Sequence, residues 1–142
     1  MIPSQSECVF LVDDDQDDYF LFNYFFSRHN PGCKLRLLPD GEELVQALEE
    51  VSEFPKLILL DLNMPFMGGF DALKLIRQQS KYDSIPIVVF TTSQEASDRQ
   101  RATALRVAGY MTKPKTVDGL DEFVIQVTHD WLEGKCVRTN ET

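Results

Sequence analysis

Four apolar residues in succession, Leu57-Ile58-Leu59-Leu60, stop abruptly on Asp61. A strand wet on one side alternates apolar with polar residues; an unbroken run of this length is buried on both faces. Such a strand needs helices on either side of its sheet, the arrangement of parallel α/β folds. Two further runs have the same form. Cys8-Val9-Phe10-Leu11-Val12 runs into Asp13-Asp14, and Ile87-Val88-Val89-Phe90 ends in Thr91-Thr92-Ser93. Asn63, Pro65 and Gly68-Gly69 force a turn after Asp61.

Helical spacing fills the intervals. A helix from about Asp17 to His29 places Leu21, Phe22, Phe25 and Phe26 on a core face, and Asn30-Pro31-Gly32 stops it. Lys34 to Leu38 alternates, as a half-buried edge strand does. Pro39-Asp40-Gly41 turns into a second helix with Leu44, Ala47, Leu48 and Val51 at core spacing. A third spans roughly Phe70 to Gln79, with Phe70, Leu73 and Ile76 inward. The polar segment Glu95 to Ala108 has few anchors (Ala102, Leu105, Val107) and is expected to be loosely held. Gly109 to Thr112 is a short last strand ending in Lys113-Pro114. The final helix runs from Val117 to about Leu132 with Leu120, Phe123, Val124, Val127 and Trp131 inward, and Gly134 ends it. Strand and helix alternate five times, which predicts a doubly wound five-stranded parallel sheet.

The length of 142 residues suits one domain, with a core over about 8–132 and a polar tail over 133–142. The net charge of −9 disfavours nucleic acid and anionic membrane surfaces as partners. No apolar run approaches membrane-spanning length, and the start is short and polar rather than a leader. Cys8, Cys33 and Cys136 are scattered, without a CxxC pair, and the histidines are His29 and His129. Zinc is disfavoured, and reduced thiols in a cytoplasmic protein are expected.

In parallel sheets ligands bind beyond the carboxyl ends of the strands. Four such ends here carry polar groups: Asp13-Asp14, Asp61, Thr91 and Lys113. From Asp13 to Asp18, five of six residues are acidic. Asp17 and Asp18 are expected to open the helix, facing the positive end of its dipole. Asp13 and Asp14 precede it, and a divalent cation is their natural counter-charge.

Together these motifs resemble a response-regulator receiver domain of two-component signalling. They are Leu-Val-Asp-Asp, Leu-Asp-Leu-Asn-Met-Pro, Thr91 and Lys113-Pro114, each at a strand end, and the likeness covers about Cys8 to Trp131. The resemblance implies the strand order 2-1-3-4-5. It makes Asp61 the phosphoacceptor for a phosphoryl group from a sensor histidine kinase or a histidine phosphotransfer protein. It implies Mg²⁺ held by Asp14 and Asp61 directly, by Asp13 through water, and by the backbone carbonyl of Asn63. Lys113 would pair with Asp61 before reaction and with a phosphoryl oxygen after it, Thr91 would donate its hydroxyl, and Tyr110 would move inward with Thr91. The Lys113-Pro114 bond would be cis. Thr92 stands where a smaller residue is frequent and Gly68 where Asp or Asn is frequent. The trio Thr91-Thr92-Ser93 and the close on Trp131-Leu132 resemble single-domain regulators paired with phytochrome-type kinases, whose output passes to a downstream protein.

Tyr19, Phe20 and Tyr24 exceed what one helix face can absorb, and are expected to form an apolar docking patch for the kinase or a self-association surface. The last helix could support a homodimer. Three rivals stand beside the receiver reading. A phosphohydrolase of the haloacid dehalogenase type needs a second Asp two residues after the nucleophile, where this chain has Asn63. A flavodoxin-like FMN carrier needs a phosphate cradle where Asp13-Asp14-Asp15 would repel it. A non-phosphorylated scaffold would lack the reactive groups that are present here.

Overall fold

In the computed structural model, which describes residues 6–64 and 67–132, every side chain of β3 (Leu57–Leu60) and β4 (Ile87–Thr91) is buried. They lie inside a five-stranded parallel sheet of order β2-β1-β3-β4-β5, with β1 over Ser6–Val12, β2 over Cys33–Leu38 and β5 over Gly109–Thr112. The helices are α1 (Gln16–His29), α2 (Gly41–Glu50), α3 (Gly69–Arg77), α4 (Ala96–Ala104) and α5 (Val117–Val127). One 3₁₀ turn spans Ser80–Tyr82, and a π-helical turn, Thr128–Leu132, continues α5. Pro65, Gly134, Cys136 and the tail lie outside the described residues.

Period-two alternation sends each strand's side chains to two cores. Val9 and Leu11 of β1 and Leu57 and Leu59 of β3 pack with Phe22, Phe25 and Phe26 of α1 and Phe123, Val124 and Val127 of α5. Phe10, Val12, Ile58 and Leu60 pack on the other side with Leu44 and Leu48 of α2 and Leu73 and Ile76 of α3. Each fully buried side chain of this size contributes roughly 1.5–3 kcal/mol relative to exposure, so the three central strands anchor the fold. α4 contributes only Ala102 to a buried cluster, as its polar sequence predicts.

At the opposite end of the sheet from Asp61, Arg77 closes α3. Its guanidinium donates to the carbonyls of Tyr82 and Ile85 and to those of Leu105 and Arg106, at 3.2 and 3.3 Å and at 3.3 and 3.2 Å respectively. Arg106, at φ 62°, returns a bond from Nη2 to the Arg77 carbonyl at 3.2 Å.

Three expectations need correction. Leu21 is exposed, because α1 rolls Phe22, Phe25 and Phe26 toward the sheet and leaves Leu21 beside the α5 end. Cys8 and Cys33 are joined as a disulfide, with Cα atoms 5.4 Å apart. They are 25 residues apart in sequence but sit on neighbouring strands, which brings them within bonding reach. No cis peptide bond occurs among the described residues, so Lys113-Pro114 is trans. The four-carbon stem of Lys113 still carries its ammonium into the acidic cluster.

Candidate functional site

Strand register sets the site. Val12 of β1 lies level with Leu60 of β3, so Asp13 and Asp61 are the next residues on adjacent strands. The Asp13 N–H donates to Leu38 O and the Asp61 N–H to Val12 O, both at 3.0 Å. Thr91 pairs with Thr112, and the Lys113 N–H bonds Thr91 O at 2.8 Å. Gly69 lets α3 begin against this end of β3, since a Cβ there would collide with the Asp61 carbonyl oxygen.

Asp13, Asp14 and Asp61 converge, each offering a carboxylate oxygen within 4.8 Å of the others. Asp13 and Asp61 are buried and Asp14 is exposed at the rim. Asp13 Oδ1 accepts from the Asp15 N–H at 3.0 Å, and Asp61 Oδ1 accepts from the Asn63 N–H at 3.3 Å. Lys113 Nζ enters from β5 and donates to Asp13 Oδ2 at 2.8 Å, Asp18 Oδ2 at 3.1 Å and Asp61 Oδ2 at 3.2 Å. Burial raises Asp13 to about 6, and the like charge of Asp61 adds to this, while the Lys113 hydrogen bond and the Asp15 N–H oppose it. Burial also works against the Lys113 charge, but its bond to Asp13 and the charge of Asp61 outweigh it and hold Lys113 above its ordinary value.

The first turn of α1 carries Asp17 and Asp18, as expected. Asp15 is the cap, its Oδ1 accepting from the N–H groups of Asp17 (2.9 Å) and Asp18 (3.3 Å). Asp18, in that turn, also gives a carboxylate oxygen to Lys113, a second partner that helical spacing does not announce. A cleft of about 440 Å³ opens beside it, lined by Asp14, Asp18, Leu21, Lys113, Val117 and Leu120 among others.

Thr91 is fully buried, and its Oγ1 accepts from the Ser93 N–H at 3.3 Å. Tyr110 is half-buried with its hydroxyl donating to the Ser93 carbonyl at 3.1 Å, and the Arg99 guanidinium lies 4.6 Å over its ring. Ser93 Oγ donates to Asp98 Oδ2 at 2.6 Å, which fastens this loop to α4. On α1, Phe20 and Tyr24 are 64% and 57% exposed, whereas Tyr19 is half-buried against the α1/α5 core. The expected patch is therefore Phe20 and Tyr24, with exposed Leu21 adjoining.

A hard-oxygen cluster, a buried carboxylate and a captive lysine at the carboxyl ends of a 2-1-3-4-5 sheet are what phosphoryl transfer to an aspartate needs. The family model for the response regulator receiver domain matches residues 9–125. The chain belongs to the response-regulator receiver family. Response regulator Rcp1 of Synechocystis sp. is 32% identical over 130 residues, covering 88% of each chain. The solved Mn²⁺-bound form of Rcp1 is 30% identical, with a TM-score of 0.82 over 96% of this chain and all of that one. The phosphorylated cyanobacterial phytochrome response regulator RcpA is 29% identical, again at TM-score 0.82, covering 87% of this chain and 92% of the other. Receiver domains accept phosphoryl groups from histidine kinases, and this chain is a receiver of that two-component kind. Among the described residues no helix is long and apolar enough to cross a membrane.

Proposed function

We propose that Asp61 is the phosphoacceptor and that Lys113, Thr91 and a bound Mg²⁺ complete its chemistry. The convergence of Asp13, Asp14 and Asp61 on Lys113 carries this reading. The Asp61 carboxylate attacks the phosphorus of a phosphohistidine, the nitrogen–phosphorus bond breaks, and the histidine leaves with its electron pair. Asp61 Oδ1, already facing the Asn63 N–H, and Oδ2, facing Lys113, are both presented toward the carboxyl end of the sheet.

Three clustered carboxylates are a donor set for a hard divalent cation. Asp14 and Asp61 would hold it directly, Asp13 through water, and Asn63 through its carbonyl. When bound, Mg²⁺ offsets the repulsion between the carboxylate and the anionic phosphoryl group. That the relative Rcp1 has a Mn²⁺-bound form supports a divalent ion for this chain as well. Lys113, paired with Asp61 before reaction, donates to a phosphoryl oxygen after it, and Thr91 turns its hydroxyl toward another. Tyr110, joined to the Ser93 carbonyl, follows that movement and alters the α4 and β5 surface. Thr92, exposed beside the cleft, limits the approach of hydrolytic water in self-catalysed dephosphorylation.

The donor is a sensor histidine kinase or phosphotransfer protein in the cytoplasm. The likeness to a phytochrome response regulator supports a phytochrome-type kinase, with output passing to a downstream protein. Phe20 and Tyr24 dock the donor's helices, and the double change to Ala should slow phosphotransfer at least tenfold with little change in melting temperature. An unchanged transfer rate would sink that docking role. A homodimer through α5 would draw on exposed Val117 and Ile125.

Intact mass after incubation with acetyl phosphate and Mg²⁺ tests the central reading. One added phosphoryl group is expected in the wild type and none in Asp61→Asn. An adduct of equal yield in the variant would remove Asp61 from its role.

A further inference from the structure

Lys113 has three N–H donors, and carboxylates take all three: Asp13 at 2.8 Å, Asp18 at 3.1 Å and Asp61 at 3.2 Å. A phosphoryl oxygen at Asp61 can bind this ammonium only when one carboxylate lets go. The three differ in what release costs. Asp13 is wholly buried, so loss of its partner would leave a charge with no access to water. Asp61, 7% exposed, is the reacting group itself. Asp18 is 39% exposed, lines the 440 Å³ cleft, and lies in the first turn of α1, near the positive end of its dipole. Water and the helix dipole can replace the ammonium there at small cost.

We propose that Asp18 is a latch on Lys113, a positioning residue that occupies one ammonium donor in the resting protein and yields it to the incoming phosphoryl oxygen. This rests on Asp61 being the phosphoacceptor. The latch sets an existing ion pair against the phosphoryl-bound state. It therefore biases the equilibrium toward the resting form, and its removal favours the phosphoryl-bound one.

Beryllofluoride forms a tetrahedral adduct of phosphoryl shape on a carboxylate. It is titrated at saturating Mg²⁺ into wild type, Asp18→Asn, Asp18→Ala, Asp18→Glu and Asp17→Asn, with amide shifts as the signal. Asp18→Asn and Asp18→Ala should bind roughly threefold to tenfold more tightly, a gain of the order that one exposed charge-assisted bond supplies. Asp18→Glu, which still reaches Lys113, should return to the wild-type value. Asp17→Asn removes the same charge from the same turn at a residue that bonds the Asp15 side chain, not Lys113, and should leave the affinity unchanged. A role confined to stabilising α1 would lower melting temperature without raising beryllofluoride affinity. Wild-type affinity in both Asp18→Asn and Asp18→Ala overturns the latch, as does an equal gain in Asp17→Asn, which would report the general field of the acidic turn. Failure of the wild type itself to bind would instead overturn Asp61 as phosphoacceptor, and the latch with it.

Discussion

Asp13→Asn should stabilise the metal-free protein at neutral pH. Asp13 is fully buried, and its carboxyl is raised from 3.8 to about 6, with burial the first cause and Asp61 an added one. A folded-state value above the unfolded one means a proton binds more tightly in the fold. The associated stability is present below about pH 4 and lost as pH rises through 6. Between those limits the cost of the ionised carboxylate grows to about 3 kcal/mol, at about 1.4 kcal/mol per unit. Asparagine carries no charge; its carbonyl oxygen can accept from Lys113, more weakly, but its amide nitrogen then stands where Oδ1 accepted from the Asp15 N–H, and that bond is lost. After a loss of about 1–2 kcal/mol on those bonds, a net gain of about 1–2 kcal/mol remains. For a chain of this size that is a rise of roughly 3–7 °C in melting temperature. Thermal unfolding by circular dichroism in EDTA is the assay, at pH 7.5 and at pH 4. The gain should be full at pH 7.5 and mostly lost at pH 4, where Asp13 is protonated in the fold and partly protonated in the unfolded chain. Millimolar Mg²⁺ at pH 7.5 should raise the wild type more than the variant and narrow the gap. A variant that melts at or below the wild type at pH 7.5 in EDTA would refute the view that Asp13 is held charged at a cost.

Two further perturbations probe the frame around the site. Gly69→Ala places a methyl against the Asp61 carbonyl and 2.9 Å from Leu62 Cα, so the α3 start must shift. A loss of about 1–3 kcal/mol in urea unfolding is expected, with slower acetyl phosphate labelling, and wild-type behaviour in both would contradict the close packing. Arg77→Ala leaves four carbonyls without their donor. It should cost about 2–3 kcal/mol and speed amide exchange around residues 82–86 and 105–108, and unchanged protection there would refute the clamp.

The strands were legible because burial on both faces leaves no alternative to an unbroken apolar run: Leu57–Leu60 and Ile87–Thr91 lie where the residues place them. Helix ends were less so. The segment Glu95 to Ala108 narrows to Ala96–Ala104, since Arg106 at positive φ ends it before the next strand. The strand order depended on family likeness, because local periodicity holds no information about which strand lies beside which. The Cys8–Cys33 bond was hidden for the same reason, being a product of β1 lying next to β2. Leu21 was misplaced by a rotation of α1 that helical spacing alone does not fix, and the same rotation brings Asp18 within reach of Lys113. A signal for Asp18 was nonetheless present, in five acids against one strand-end lysine.

The Arg77 clamp has a mechanical consequence. Its guanidinium and Arg106 moor the trailing end of α4 to the end of α3, while the leading end is tied by Ser93 and Asp98 to the loop after Thr91. Between those points only Ala102 of the helix is buried. A rod moored at its rear and held along its length only by Ala102 and by the contacts of Arg99 with Tyr110 and Arg101 with Phe70 is a lever, and Arg106 is its fulcrum. A displacement of Thr91 by a fraction of an ångström would then swing the front of α4 sideways, leaving the sheet behind it undisturbed.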